Sequence, residues 1–179
     1  RVLRSFHKKG GRIPLMVLLI LVIGGWPGTG TSVRLYLAVE AEPDGNSYLC
    51  LPVSPGEVFQ IEFLHSYDRF PFKESYRVEG PEAIRLVRLV FRSVLNGQGF
   101  VYPGVRIRPD GWGEIDGIEA HCPMVEFLMG AREHANHRLT LRGMEYSLAE
   151  VIPPGTPVVI RVQTTACNEP VSMDKGDPY

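Results

Sequence analysis

The sequence predicts an all-β fold, an immunoglobulin-like antiparallel β-sandwich of one domain behind an N-terminal hydrophobic segment. Three observations point there. From residue 33 onward apolar residues recur at a period of two in short runs. Turn clusters of Gly, Pro, Asn and Asp separate those runs at fairly even spacing. The 179 residues, 44% hydrophobic and 22% charged, suit one well-buried domain rather than a disordered chain or two domains. The expected division is residues 1–32 as signal peptide or signal anchor, 33–165 as the sandwich and 166–179 as a C-terminal tail.

The first element is the leader. Arg1, Arg4, Lys8, Lys9 and Arg12 precede the apolar run Ile13-Pro14-Leu15-Met16-Val17-Leu18-Leu19-Ile20-Leu21-Val22-Ile23, which exits through Gly24-Gly25-Trp26-Pro27. A positive start, an apolar stretch of about 11–14 residues and a small-residue exit around residues 28–32 form the pattern of an export signal. The run is shorter than the roughly 20 residues of a spanning helix, and it lacks the polar face of a core helix. The expectation is a periplasmic or extracytoplasmic body, with residues 13–26 cleaved or kept as an inner-membrane anchor. Trp26 stands where an interfacial anchor would, and no Cys follows the run to take a lipid.

Charge narrows the partners. With those five basic residues set aside, 14 basic residues remain against 20 acidic ones. So acidic a body has no electrostatic footprint for nucleic acid, whose binding rests on neutralised phosphates. Cys50, Cys122 and Cys167 allow one disulfide and one thiol, with the pairing open, and no CxxC spacing is present.

The strands follow in order. Val33, Leu35, Leu37 and Val39 alternate with Arg34, Tyr36 and Ala38, the mark of a half-buried strand. Pro43-Asp44-Gly45-Asn46 turns the chain into a short strand over 47–51. Pro55-Gly56 opens a strand with Phe59, Ile61 and Phe63 on one face, and 72–78 reads as its hairpin partner. Over 83–91, Arg85, Arg88 and Arg92 fit a helical stripe, yet Val87, Leu89 and Phe91 also alternate, and the strand is preferred. Further strands are expected at 105–107, 124–129, 137–141 and 158–162, and one helical turn at 131–136.

The most distinctive stretch is Phe63-Leu64-His65-Ser66-Tyr67-Asp68-Arg69-Phe70-Pro71-Phe72-Lys73-Glu74-Ser75-Tyr76. Strand parity sends His65 to the face of Ile61 and Phe63 and Ser66 to the other, so the two are a poor nucleophile–base pair. A tight turn at Arg69-Phe70 would set His65 opposite Glu74, with Cβ atoms about 5 Å apart. A carboxylate there favours the charged imidazole, making a site for a small anionic or amine solute, with Tyr76 on the same face as Glu74. A register-fixing structural pair is the competing reading.

The stretch from Pro55-Gly56 through His65-Ser66, Pro71, Glu74 and Tyr76 resembles an uncharacterised bacterial family, a domain of unknown function often encoded beside TAXI-type TRAP transporters. That family shows a pattern like His-Ser-Val-Glu-x-x-Pro-Val-x-Glu followed by a Gly-Ala-Gly loop. Here Tyr67-Asp68 stands for Val-Glu, Phe72 for Val, and Gly97-Gln98-Gly99 for the loop. Asn136-His137-Arg138-Leu139 and Pro154-Gly155-Thr156-Pro157-Val158 are also similar, so the resemblance spans roughly residues 33–162. It implies an extracytoplasmic accessory role in solute uptake, with transporter components as partners, and supplies no established activity.

Metal readings are weaker. His134 and His137 with Glu133 would need a helix to bind zinc together, and Arg132 and Arg138 oppose a cation there. His121-Cys122-Pro123-Met124 offers soft donors for copper, but Cys122 and Met124 also fit core positions. Asp110, Glu114, Asp116 and Glu119 lack the calcium-loop order and read as a solvated turn. No metal or cofactor site is expected. Gly97-Gln98-Gly99 could present N–H groups to an anion. The leading function is a transport accessory that binds through His65, Ser66 and Glu74, with Tyr76, Gly97 and Gly99 as neighbours. The alternatives are a small-ligand-binding module on the same residues and a hydrolase using His65 and Glu74 as acid and base.

Overall fold

The computed structural model describes residues 33–66, 69–92 and 104–167. Leu35, Leu37 and Val39 bury one face of β1 (Leu35–Ala41). The turn at 42–45 returns the chain as β2 (Asn46–Val53), with Gly45 at φ 66, a left-handed backbone that glycine adopts without a Cβ clash. Beyond Pro55-Gly56 the chain runs as a meander of β3 (Val58–Leu64), β4 (Pro71–Gly80) and β5 (Ala83–Phe91). There follow β6 (Arg106–Ile107), β7 (Gly113–Cys122), β8 (Met124–Leu128), β9 (Arg138–Leu141), β10 (Met144–Ser147), a single helical turn α1 (Leu148–Val151) and β11 (Pro157–Gln163).

All strand pairings are antiparallel, and they close two sheets: β2-β1-β11-β8, and β10-β9-β3-β4-β5-β7-β6. The β-sandwich expected from the periodicity is the fold. Phe59, Ile61, Ile84 and Leu139 from the large sheet and Leu37, Ile160 and Val162 from the small one are buried together. Each such side chain contributes about 1.5–3 kcal/mol over an exposed one.

The outer face of the large sheet carries charge rungs. Glu62 on β3 lies opposite Lys73 and Arg138 and pairs with both, at 2.7 and 2.9 Å. Glu114 on β7 pairs with Arg88 and Arg106 at 2.7 and 3.0 Å. These pairs explain one departure from expectation. The acidic stretch read as a solvated turn is half of β7, with Ile115 turned inward and Glu114 and Asp116 outward against arginines. Acidic residues at alternate positions fit a strand when the neighbouring strands supply the opposite charge. The strand over 83–91 forms as preferred, with Arg85 and Arg88 on the charged face.

Cys50 on β2 is bonded to Cys167, in the segment read as a tail, across 117 positions. Cys122 keeps a free thiol, half-buried.

Candidate functional site

The hairpin of β3 and β4 sets the site. Its register pairs Leu64 with Pro71, Phe63 with Phe72, Ile61 with Glu74 and Phe59 with Tyr76. This corrects the expected pairing of His65 with Glu74: the register lies four positions away, and His65 meets Phe70 instead. His65 N–H donates to Phe70 O at 2.9 Å, and Arg69 N–H to His65 O at 2.9 Å. The reason lies in the side chains. The observed register stacks Phe59 on Tyr76 and Phe63 on Phe72, with centroids 5.4 and 5.2 Å apart, and sets Glu62 against Lys73. Cross-strand pairs of this kind outweigh the shorter loop. The shift of four residues preserves parity, so Glu74 stays on the inner face between Phe72 and Tyr76, as alternation requires.

Consequently His65 and Ser66 sit at the hairpin end, half-buried and exposed, while Glu74 and Tyr76 lie deeper between the sheets. Tyr76 O–H donates to Glu74 Oε2 at 2.7 Å. Burial pushes the Glu74 carboxyl above its ordinary range, and the Tyr76 bond only partly offsets this. Gly97 and Gly99, and the Tyr67-Asp68 pair, lie outside the described residues.

The residue that joins Glu74 is His137. Both line a cavity of about 240 Å³ between β3 and β4 of the large sheet and the edge strand β8 of the small one. Ile61, Phe63, Val125 and Phe127 form its apolar wall, and Glu126, exposed on β8, lies at its rim. The turn at 131–136, closed by Ala135 N–H to Ala131 O at 2.8 Å, delivers His137 into place. That turn is docked on the hairpin: Leu64 N–H donates to Ala135 O at 2.7 Å, and the Arg69 guanidinium to Glu133 O.

His137 is 7% exposed and stacked between Phe127 and Phe63, with centroids at 4.6 and 5.5 Å. Burial lowers its pKa from 6.5 to about 4, so the imidazole is neutral at pH 7. Gly130 N–H donates to Nδ1 at 3.4 Å, which leaves the ring proton on Nε2. A Cβ on Gly130 would lie 2.4 Å from the Ala135 Cβ, so glycine is what allows this approach. The stack continues through Phe72 to Phe91, which lies over Gly113 of β7. One ladder of rings thus runs from the cavity across the large sheet.

Sequence reasoning reached Glu74 and Tyr76 but did not place His137 with them, naming it only as a zinc ligand with His134 and in the family-like stretch Asn136-His137-Arg138-Leu139. Among the described residues no group of three or more His, Cys, Asp or Glu is placed to hold a metal ion. The signal for His137 was present: Phe127 and Phe63 frame it in the predicted strands, and Gly130 lies seven residues before it.

The fold and the site together define a two-sheet antiparallel β-sandwich with a cavity lined by one buried carboxyl and one neutral imidazole. The chain belongs to a family described as a domain of unknown function (DUF1850), whose sequence model matches residues 59–148. That match takes in nearly all of the large sheet, β8 and every residue lining the cavity. No curated protein and no solved structure matches the chain.

Proposed function

We propose that the chain is an extracytoplasmic small-ligand-binding module serving a membrane solute-transport system of the TAXI-type TRAP class. The cavity between the sheets carries the binding part. It is a concave, mostly apolar site with two convergent polar groups, Glu74 and His137, and its 240 Å³ equals about eight water molecules. That volume lies just below the usual range of about 300–1,000 Å³ for ligand sites and suits a solute of few heavy atoms. The hairpin register argues against hydrolysis by His65 and Glu74, because the two do not face each other across the strands.

The Cys50–Cys167 bond supports the extracytoplasmic setting, since structural disulfides persist mainly in oxidising compartments. The transport setting rests on the family resemblance. Membrane attachment would fall to residues 13–26, outside the described residues. Among the described residues no helix is long and apolar enough to cross a membrane.

Native mass spectrometry of the chain, purified without denaturation from its host's membrane or extracytoplasmic fraction, tests the binding part. A small-molecule adduct on the wild type that is lost in Val125→Phe, which fills the cavity from an edge strand, is the expected result. Identical spectra for both proteins would remove it. A tagged pull-down from native membranes tests the setting: transporter subunits should be recovered, and their absence leaves a ligand-binding protein with no transport role.

A further inference from the structure

The cavity has a charge character that selects among ligands. Several carboxylates among the described residues lie against guanidinium or ammonium groups: Glu57 against Arg142, Glu62 against Lys73 and Arg138, Glu79 against Arg85, Glu114 against Arg88. Glu74 departs from that pattern. Its cross-strand neighbours are Ile61 and Leu89, its hydrogen bond comes from a phenol, and neither Lys nor Arg lines the cavity that it borders.

A second carboxylate, Glu126, is exposed on β8 at the rim, and neither Lys nor Arg lines the cavity. An anionic ligand would meet that field unaided, since His137 is stacked between two rings and stays uncharged at neutral pH. A neutral apolar ligand would supply no counter-charge and would leave Glu74 to its protonated form, which burial already favours. A cation resolves both. Its N–H or N–CH₃ groups meet the Glu74 carboxylate, and its carbon skeleton meets Ile61, Phe63, Val125 and Phe127.

We infer that the ligand is a small organic ammonium ion, held by Glu74 at the inner end of the cavity and drawn in past Glu126. This inference rests on the ligand-binding reading and narrows it to one chemical class.

A pH dependence follows, because the carboxyl is pushed upward by burial and binds the cation only when ionised. The titratable groups around it are Tyr76, which donates to it, and His137 across the cavity, with Glu126 exposed at the rim; β3 and β5 present Ile61 and Leu89. Affinity should therefore fall as the medium is acidified and Glu74 takes up a proton.

The test uses three probes of one shape and different charge: n-butylammonium, butanol and butyrate. Each is titrated against the wild type, Glu74→Gln, Glu126→Gln and Val125→Phe by ligand-observed NMR, with thermal melting to confirm folding. The expected result is binding of butylammonium at least about tenfold tighter than of butanol or butyrate, the factor for a charge-assisted hydrogen bond. It should be lost by a similar factor in Glu74→Gln and in Val125→Phe, and weakened less in Glu126→Gln. Binding of butanol or butyrate that depends on Val125, with butylammonium no tighter, overturns the cation and leaves a ligand cavity of another class. Binding of all three probes that is indifferent to Val125→Phe overturns the cavity as well. A loss as large in Glu126→Gln as in Glu74→Gln assigns the effect to the rim and overturns the role of Glu74.

Discussion

Acidification should destabilise this fold through one residue. His137 has a pKa of about 4 when folded, against 6.5 for an unperturbed imidazole. The folded pKa is the lower one, so the unfolded chain binds a proton that the native state refuses. Stability is intact above 6.5 and is lost as the pH falls between 6.5 and about 4. Linkage puts the loss between pH 7 and pH 5 at about 2 kcal/mol, and the whole separation at about 3 kcal/mol. Glu74 acts in the opposite sense. Its folded pKa is raised, so protonation favours the native state as the pH falls toward 4.5. The measurement therefore belongs in a Glu74→Gln background. Urea unfolding followed by circular dichroism at pH 7, 6 and 5 should show the 2 kcal/mol fall, and Glu74→Gln/His137→Phe should show little of it. His65, His121 and His134 are common to both proteins and cancel in the comparison. The carboxyls of Glu57, Glu79 and Glu114 are held below their usual range by arginines, so their contribution is lost mainly below that window. Equal slopes in the two proteins, or an NMR titration placing His137 at 6.5 or above, would refute the aromatic seat as the cause.

Two further outcomes concern the scaffold. In Gly113→Ala the new Cβ would lie 2.3 Å from the Phe91 ring, so the ring must move within its stack on Phe72. The expected cost is about 1–3 kcal/mol, seen as a lower urea midpoint with an unchanged slope, and partly relieved by Phe91→Leu. Strict additivity of the two changes would show that they do not meet. Reducing Cys50–Cys167 opens a loop of 117 positions, worth about 4–5 kcal/mol in the chain-entropy account, and should lower the melting temperature sharply. Cys122→Ser should leave it unchanged, and a melting temperature indifferent to reductant removes the stabilising role.

Much of the sandwich was legible because period two is a local property. Leu35, Leu37 and Val39, or Phe59 and Ile61, announce their burial in five residues of sequence. β7 was not legible because its polar residues are explained only by Arg88 and Arg106 on other strands. β10 was missed although Leu139 and Leu141 alternate up to Arg142-Gly143, whose φ values of 52 and 76 close a two-residue hairpin. The candidate site divided the same way. The parity of Glu74 and Tyr76 could be read locally, whereas the register is a non-local choice made by ring pairs. A one-residue slip would have reversed the faces, and a four-residue slip changed the partner and kept the face. His137 reaches the cavity through a turn docked on a distant hairpin, which no window of sequence displays.

The disulfide has a consequence for the order of events during synthesis. The three cysteines emerge as Cys50, Cys122 and Cys167. At roughly 5–20 residues per second, Cys50 waits on the order of ten seconds for its native partner, long enough for thiol exchange. For part of that interval Cys122 is the partner at hand. The meander from β3 to β7 is complete by then, and it places Cys122 opposite Ile84 in the large sheet, while Cys50 lies on β2 of the other. Once the large sheet has closed, Cys122 is held on a different sheet from Cys50, while the native partner is still to come.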